Sequence, residues 1–231
     1  DVVHASAGLL CYRTRNRLIA IDPANGERLW TRHQLPPQVS ITGDGERVVL
    51  RLLATRETEV RRGFDGKLLS RRTDESELGT IVFEQGRLQL SLHSGKSDEA
   101  AAKLYCQDVV IGETVWQRKH PAGSVVLRVD ESRCGVVEPS GILRFLSLAD
   151  GRELSKQDVS LPKPLSTAHV FADDLRLFVI LSGPVTETSW LNTQQDRGNY
   201  RRPLLNGWLH AFDRRSLKPL WTIPTKNLPF A

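Results

Sequence analysis

The chain has 231 residues, of which 39% are hydrophobic and 26% are charged, and its net charge at pH 7 is +5. This balance is typical of a globular chain with enough apolar mass for one large domain or two small ones. No apolar run approaches the roughly 18 residues that a membrane helix needs, so a helical membrane span is excluded. The basic residues are spread among acidic ones along the whole chain, which favours solvated strand faces over a nucleic-acid surface.

A repeated unit first appears in the stretch RLIAIDPANGERLW, residues 17–30. It predicts a strand, a turn and a second strand, with Asp22 as the first anchor and Trp30, eight residues later, as the second. The same two anchors recur twice, at Asp108 and Trp116 and at Asp213 and Trp221. Two weaker copies carry other residues at the anchors, Arg62 and Ser70 in RGFDGKLLS and Ser147 and Ser155 in SLADGRELS. The unit is therefore present five times.

The turn of the unit carries a glycine in four copies, at Gly26, Gly66, Gly112 and Gly151. Leu217 takes this place in the fifth copy. Glycine supplies the positive φ that a tight turn requires, and an aspartate at the first anchor accepts bonds from the backbone amides that follow it. The strand before the turn contains small residues such as Ala20 and Ala211, so a neighbouring sheet can approach. The tryptophan is predicted to cover the next unit.

The units predict an all-β fold, because short β-branched or leucine-rich runs bounded by turn residues fill the sequence between them. Their period is about 40 residues, apart from a longer last interval, and a four-stranded propeller blade has this length. We therefore predict one β-propeller segment, residues 1–231, of about five four-stranded blades. The predicted repeats span residues 1–38, 39–76, 77–123, 124–162 and 163–225.

The pattern L-x-A-x-D-x-x-x-G-x-x-x-W resembles the PQQ-like repeat, the tryptophan-docking unit of quinoprotein-dehydrogenase-like propellers. The same repeat occurs in non-enzymatic propellers of the BamB type and in large bacterial multi-repeat proteins. The stretch ERLWTRHQLPPQVSITGDGERVV resembles the last group most. The resemblance covers essentially the whole chain, although only three of the five copies keep the tryptophan. It implies a propeller and does not by itself choose a function.

The two ends of the repeat array differ from the rest. Only VVHASAGLLCYR precedes the anchored strand of the first repeat, which predicts that its first strand is missing. The tail TIPTKNLPFA after Trp221 either begins a sixth blade of an open arc or supplies the missing strand and closes a ring. Because the chain starts at Asp1 and contains no methionine, we expect it to be a processed or excised part of a longer protein.

No residue is predicted to be catalytic, to bind a cofactor or to bind a metal. The resemblance implies that a quinoprotein site needs calcium held by carboxylate and amide oxygens, an aspartate base and two adjacent cysteines. This sequence has no adjacent cysteines. The anchor aspartates are turn residues repeated along the chain, so they do not form such a cluster.

The histidines and cysteines predict structural roles. The six histidines lack metal-ligand spacing, and His210 occupies a variable strand position. Cys106 occupies the position of Ala20 and Ala211, which predicts a small core residue. The three cysteines, Cys11, Cys106 and Cys134, lack the CxxC spacing of metal sites. One disulfide with a free thiol, or three free thiols, are both compatible with their number.

One segment departs from the repeat. The last interval is about 26 residues longer than the others, and the excess lies within residues 183–206, GPVTETSWLNTQQDRGNYRRPLLN. Exposed aromatic and arginine side chains anchor protein interfaces, and long loops on rigid scaffolds carry function. The candidate interface residues are Trp190, Arg197, Tyr200, Arg201 and Arg202. The alternative is a mobile insertion without function.

The sequence thus favours a non-catalytic propeller scaffold or protein-interaction module of a larger bacterial protein, in an extracytoplasmic location. The expected partners are proteins or other domains of the same parent chain, with no nucleic acid and no cofactor. One alternative is a fragment of a PQQ-dependent quinoprotein oxidoreductase. Another is a sensor or ligand-binding domain attached to a catalytic module elsewhere in the parent chain.

Overall fold

Twenty β-strands form the regular structure of the computed structural model, which describes residues 2–6, 8–73, 80–94, 101–184 and 204–229. They form five four-stranded antiparallel sheets, and strands that are consecutive in the chain are neighbours in each sheet. The prediction of an all-β fold with about five four-stranded propeller blades is confirmed. Within the described residues, no helix has the length and hydropathy needed to cross a membrane.

The strands follow the chain blade by blade. Blade 1 consists of β1 (Val2–Ser6), β2 (Leu9–Thr14), β3 (Arg17–Ile21) and β4 (Arg28–Arg32). Blade 2 consists of β5 (Val39–Gly43), β6 (Arg47–Leu52), β7 (Glu57–Arg62) and β8 (Leu68–Thr73). Blade 3 consists of β9 (Thr80–Gln85), β10 (Leu88–Ser94), β11 (Ala101–Asp108) and β12 (Glu113–Pro121). Blade 4 consists of β13 (Val125–Arg128), β14 (Arg133–Val137), β15 (Ile142–Ser147) and β16 (Glu153–Asp158). Blade 5 consists of β17 (Thr167–Ala172), β18 (Arg176–Ser182), β19 (Leu204–Asp213) and β20 (Pro219–Pro229).

Blade 1 is complete, so the prediction that the first repeat lacks a strand is wrong. The segment VVHAS forms β1 and pairs with β2, where Ala5 lies opposite Leu10 and Ser6 lies opposite Leu9. The short sequence ahead of the anchored strand holds two strands because they are joined by a turn at Gly8.

The tail after Trp221 lies in blade 5, so both predictions for the tail are wrong. Residues 222–229 continue β20, which pairs with β19 as far as Leu204 opposite Pro229. Because β20 is an edge strand, it tolerates prolines, which have no backbone N–H to donate. The repeat alignment ends at the second anchor, whereas β19 and β20 extend well beyond it.

The blades fall into two compact units. The first unit contains blades 1 and 2 with most of blade 3, and the second contains the start of β11, the end of β12 and blades 4 and 5. In the first unit, Leu9, Cys11 and Leu18 of blade 1 pack with Val48 and Leu50 of blade 2.

The core of the second unit joins blades 4 and 5. Leu143 and Phe145 of blade 4 pack with Val179 and Phe212 of blade 5. The two phenylalanine rings meet edge to face, with centroids 5.4 Å apart and planes at 77°. Each unit therefore buries apolar side chains between two adjacent blades.

Candidate interaction surface

Each blade has two faces, because successive side chains of a β-strand point to opposite sides of the sheet. We call the face that packs on the next blade in the chain the forward face, and the opposite one the back face. In blade 1 the forward face carries Leu18, Ala20 and Trp30. It packs on Val48 and Leu50, which belong to the back face of blade 2.

Trp30 fixes the contact between blades 1 and 2. Its indole Nε1 donates a hydrogen bond to the carbonyl oxygen of Gly63 at 2.5 Å. Its ring lies so close to Gly66 that an added Cβ there would come within 2.7 Å of a ring carbon. Gly66 also has a φ of +69°. The close approach and the positive φ both require glycine at this turn.

Blade 2 makes the equivalent contact with an arginine two residues after its second anchor. Arg72 donates to the carbonyl oxygens of Val109 and Val110, at 2.5 and 3.0 Å, on the turn of blade 3. Its guanidinium lies over Gly112, where an added Cβ would come within 2.6 Å of the Arg72 Nε. Arg72 therefore occupies the place above the turn glycine that Trp30 occupies one blade earlier.

The same repeat position carries a hydrogen-bond donor in the second unit. Arg118, at the end of β12, donates to the carbonyl oxygen of Gly151 in blade 4 at 2.7 Å. Gln157 of blade 4 donates to the carbonyl oxygen of Leu217 in blade 5 at 3.3 Å. Sequence reasoning missed these contacts, although a long polar donor at one repeat position was the signal for them.

The predicted turn residues lie in the turns that receive these contacts. The predicted glycines all have positive φ, namely Gly26, Gly66, Gly112 and Gly151. Leu217 adopts the same conformation with a φ of +57°, which costs an L-residue about 1–2 kcal/mol. Its side chain is 3% exposed and belongs to the core of the second unit, so packing offsets this cost.

The anchor aspartates accept hydrogen bonds within their turns. The Oδ1 atom of Asp22 accepts from the Ala24 amide at 2.8 Å, and that of Asp108 accepts from the Val110 amide at 2.9 Å. The Oδ1 atom of Asp213 accepts from the Ser216 amide at 2.7 Å. The amide and hydroxyl of Ser216 hold the pKa of Asp213 below its ordinary value.

The three predicted tryptophan anchors differ in burial. Trp30 is half-buried and Trp116 is 8% exposed, whereas Trp221 is 39% exposed. The indole of Trp221 contacts the ring of Phe178, with centroids 5.9 Å apart. Ile223, at the repeat position that carries the polar donors in blades 2 to 4, is 49% exposed. The forward face of blade 5 therefore exposes Trp221 and Ile223, whose equivalents in other blades contact the next blade.

Two more residues of this face are less buried than their equivalents. Phe178, Ala211 and Trp221 form one row across the sheet, and Leu209 lies opposite Ile223 in the next row. Phe178 and Leu209 are partly exposed. The residues at the repeat position of Leu209 in the other blades are fully buried, namely Leu18, Thr58, Leu104 and Leu143. We call Phe178, Leu209, Trp221 and Ile223 the open face of blade 5.

The predicted interface in the insertion lies outside the described residues, which end at position 184 and resume at 204. This applies to Trp190, Arg197, Tyr200, Arg201 and Arg202. Within the described part, the Gly183 amide donates to the Asn206 carbonyl oxygen at 2.8 Å and bridges the two ends of the insertion. A groove of about 510 Å³ adjoins this bridge, and its lining includes Trp208, Lys163 and Lys226.

A buried carboxylate, Glu59, lies between blades 1 and 2. Its side chain is 0% exposed and pairs with Arg71 at 2.6 Å, Arg61 at 2.7 Å and Arg32 at 3.5 Å. Burial acts to raise the pKa of Glu59, but the hydrogen bonds and charges of the three arginines outweigh it and hold the pKa below its ordinary value. This cluster joins blades 1 and 2, and both carboxylate oxygens of Glu59 are paired with arginines.

Other ionisable groups are also used in packing. Burial acts to raise the pKa of Glu138, but Arg144 at 2.7 Å and His120 at 3.4 Å hold it below its ordinary value. His210 is buried, its Nε2 donates to the Ser160 carbonyl oxygen at 2.7 Å, and its Nδ1 lies 2.9 Å from the Thr222 hydroxyl. Burial lowers the pKa of His210, so the ring is neutral and structural at pH 7.

The cysteines are buried in the part of the chain that the structure describes. The three cysteines, Cys11, Cys106 and Cys134, are buried and form no disulfide with one another, so the disulfide alternative is wrong. Burial raises the pKa of Cys11 to about 12, so its thiol stays protonated at pH 7. No group of three His, Cys, Asp or Glu side chains in this part of the chain is arranged to hold a metal ion.

Comparison with known proteins gives matches among solved structures but none at the level of sequence families. No protein-family model matches the sequence, and no curated protein matches it. The chain is similar to a protein of unknown function from Bacteroides caccae, with a TM-score of 0.39 and 12% identity, covering 95% of this chain and 73% of that one. It is also similar to BamB from Moraxella catarrhalis, with a TM-score of 0.40 and 10% identity, covering 97% of this chain and 77% of that one.

Proposed function

We propose that this chain is a non-catalytic scaffold that binds a protein surface through the open face of blade 5. The observation that carries the proposal is the exposure of Trp221 and Ile223. In the preceding blades, Trp30, Arg72 and Gln157 hold the next blade from the same strand at these two repeat positions. Blade 5 therefore presents a surface built for packing against another sheet.

The two exposed side chains suit a binding role energetically. Tryptophan is enriched at interface hot spots, where truncation costs about 2 kcal/mol or more. Trp221 and Ile223 lie two residues apart on one face of β20, and pairing with Ala211 and Leu209 of β19 holds the backbone of both. A partner therefore binds a surface that is already ordered, and little conformational entropy is lost on binding.

Three buried ionisable groups, Glu59, Glu138 and His210, also support a binding role over a catalytic one. Glu59 and Glu138 are neutralised by arginines, and both ring nitrogens of His210 are hydrogen-bonded. A general acid or base needs a free lone pair or proton that reaches a substrate. We assign the repeat to the PQQ-like class and the protein to an extracytoplasmic location in a bacterium, both on the resemblance of the repeat pattern.

The test compares the wild-type chain with Trp221→Glu and with a matched control, Phe64→Glu. Phe64 is an aromatic residue that is 65% exposed on the turn of blade 2 and does not belong to the open face. Partners are captured by cross-linking in an envelope extract of the source cells, and each captured pair is then rebuilt from purified proteins. We expect Trp221→Glu to raise the Kd roughly 30-fold or more, as for loss of a hot spot, while Phe64→Glu leaves it unchanged. Equal affinity of the wild-type chain and Trp221→Glu for every partner would contradict the proposal.

A further inference from the structure

Blade 1 carries a turn whose glycine, Gly26, has none of the described side chains packed over it. Gly26 has a φ of +77°, as the repeat requires, yet an added Cβ there would meet no atom of the described residues within 4 Å. At the equivalent positions, Gly66 lies under Trp30 and Gly112 lies under Arg72. The turn of blade 1 therefore has the conformation of a docking turn and an open space where the docking side chain belongs.

The back face of blade 1 is apolar and partly exposed. Leu10 lies opposite Ile21 and Tyr12 lies opposite Ile19, and all four side chains are only partly buried. The residues equivalent to Leu10 and Tyr12 in blades 2 and 5 are 0–1% exposed, namely Val48, Leu50, Leu177 and Val179. The back face of blade 1 thus has the composition of a packed face without the cover that those blades have.

The open face of blade 5 and the back face of blade 1 are two halves of one type of contact. Within each unit, a covered forward face packs on the back face of the next blade and on carbonyl oxygens of the next blade's turn. Trp221 corresponds to Trp30, and Gly26 corresponds to Gly66. The carbonyl oxygen that accepts from Trp30 belongs to Gly63, whose equivalent in blade 1 is Pro23.

We propose that the open face of blade 5 binds the back face of blade 1 in a second copy of this chain. The inference rests on the proposed function and names the partner of that same surface. In the complex, the Trp221 indole covers Gly26 of the second copy and donates its N–H to the Pro23 carbonyl oxygen. Ile223 and Phe178 pack on the side chains of Leu10 and Tyr12 on the back face of blade 1 of the second copy.

The contact joins two different surfaces, so it is heterologous. Each copy that binds through blade 5 still has its own blade 1 available, and association either closes into a small ring or continues head to tail. A chain that has lost one of its two surfaces can therefore only end an assembly. Chains that lack one of the two surfaces are therefore the most informative variants for testing the contact.

The experiment is sedimentation of the full 231-residue chain over a range of concentrations, beside Trp221→Glu, Tyr12→Glu and the control Phe64→Glu. We expect the wild type and the control to form species larger than the 25.9 kDa monomer. Each of the other two variants is expected to stay monomeric, with association at least roughly 30-fold weaker. Trp221→Phe keeps the ring and loses the N–H, and we expect roughly fivefold weaker association.

Mixing Trp221→Glu with Tyr12→Glu tests the pairing directly. Trp221→Glu retains an intact blade 1 and Tyr12→Glu retains an intact open face, so the mixture is expected to form a heterodimer and nothing larger. Because the heterodimer forms only from folded chains, it also shows that neither variant is misfolded. A mixture that stays monomeric while the wild type associates would overturn the head-to-tail contact.

A wild-type chain that is monomeric at every concentration would also overturn the second copy as the partner. Oxidative footprinting of Trp221, read by mass spectrometry, then separates the two proposals. If Trp221 reacts as readily as tryptophan in an unfolded chain, the face is open and the proposed function stands with a different partner. If Trp221 is protected in the monomer, the face is covered within the chain and the proposed function fails as well.

Discussion

The same repeat builds two different kinds of contact between neighbouring blades. Between blades 4 and 5 the contact is apolar, and between blades 2 and 3 it is largely polar. Between blades 4 and 5, Leu143 and Phe145 meet Val179 and Phe212, and all four side chains are at most 1% exposed. This contact is stabilised mainly by removal of apolar surface from water.

Between blades 2 and 3 the contact is largely polar. The Ser40 hydroxyl donates to the Glu84 carboxylate at 3.2 Å, and the Thr42 hydroxyl donates to the Gly86 carbonyl oxygen at 3.2 Å. Arg72 binds the turn of blade 3. The apolar part is a small cluster of four valines, Val49, Val60, Val109 and Val110.

The difference shows which part of the repeat is constrained. The turn offers its backbone carbonyl oxygens in every blade, and a carbonyl accepts equally from an indole, a guanidinium or an amide. The side chains that meet it are therefore free to vary, provided that each buried donor finds its acceptor. We therefore expect apolar and polar contacts to serve the same architecture but to differ in strength and in their response to acid.

The largest predicted effect is at the apolar contact. Phe145→Ala removes a fully buried ring that meets Phe212 edge to face, and we expect a loss of about 3–5 kcal/mol in the free energy of unfolding. Urea unfolding followed by circular dichroism measures it. The matched change in the polar contact is Val49→Ala, at a residue that is 1% exposed, with an expected loss of about 1–2 kcal/mol. Equal losses at the two sites would mean that the apolar contact is not the stronger one.

The parts of the fold that depend on backbone geometry could be predicted from the sequence. Gly66 and Gly112 are needed for positive φ, and Asp22 and Asp213 accept bonds from the amides of their own turns. These requirements act over a few residues, so they leave a fixed spacing that repeats about every 40 residues. Four-stranded blades follow from that spacing.

Contacts between blades were harder to predict because they depend on residues far apart in the chain. Arg72 and Arg118 have the composition of a solvated strand face, and only the position of the next turn turns them into docking residues. The strand β1 and the end of β20 were missed because they lie outside the anchored unit. The exposure of Trp221 was not predicted either, since its local sequence matches that of Trp30.

Acid extends the comparison to the polar cluster between blades 1 and 2, because the Glu59 carboxylate titrates and the Phe145 core does not. We expect Glu59→Gln to cost about 2 kcal/mol at pH 7, less than is typical of a fully buried pair, because Arg71 is 49% exposed. The folded-state pKa of Glu59 lies below its ordinary value, so its contribution is present above about pH 4.5 and is lost as pH falls through the lower folded-state pKa.

Urea unfolding of both chains at pH 7 and near pH 3 measures this effect. The difference in stability between the wild type and Glu59→Gln is expected to shrink as the pH falls, whereas the loss caused by Phe145→Ala is expected to stay nearly constant. A difference for Glu59→Gln that is the same at both pH values would show that the carboxylate charge contributes nothing to the contact between blades 1 and 2.

The smallest effect is expected at the docking arginine of blade 2. Arg72→Met keeps most of the side-chain stem over Gly112 and removes the two hydrogen bonds to the turn of blade 3. We expect a loss of about 1–2 kcal/mol, since a hydrogen bond that is partly reached by water contributes less than a buried ring. The control is Arg215→Met, at an exposed arginine on the turn of blade 5, which is expected to change stability by less than about 0.5 kcal/mol. Suppose that Arg72→Met lowered the free energy of unfolding no more than Arg215→Met does. The guanidinium would then only cover the turn of blade 3, and Arg72 would resemble Trp30 in shape but not in hydrogen bonding.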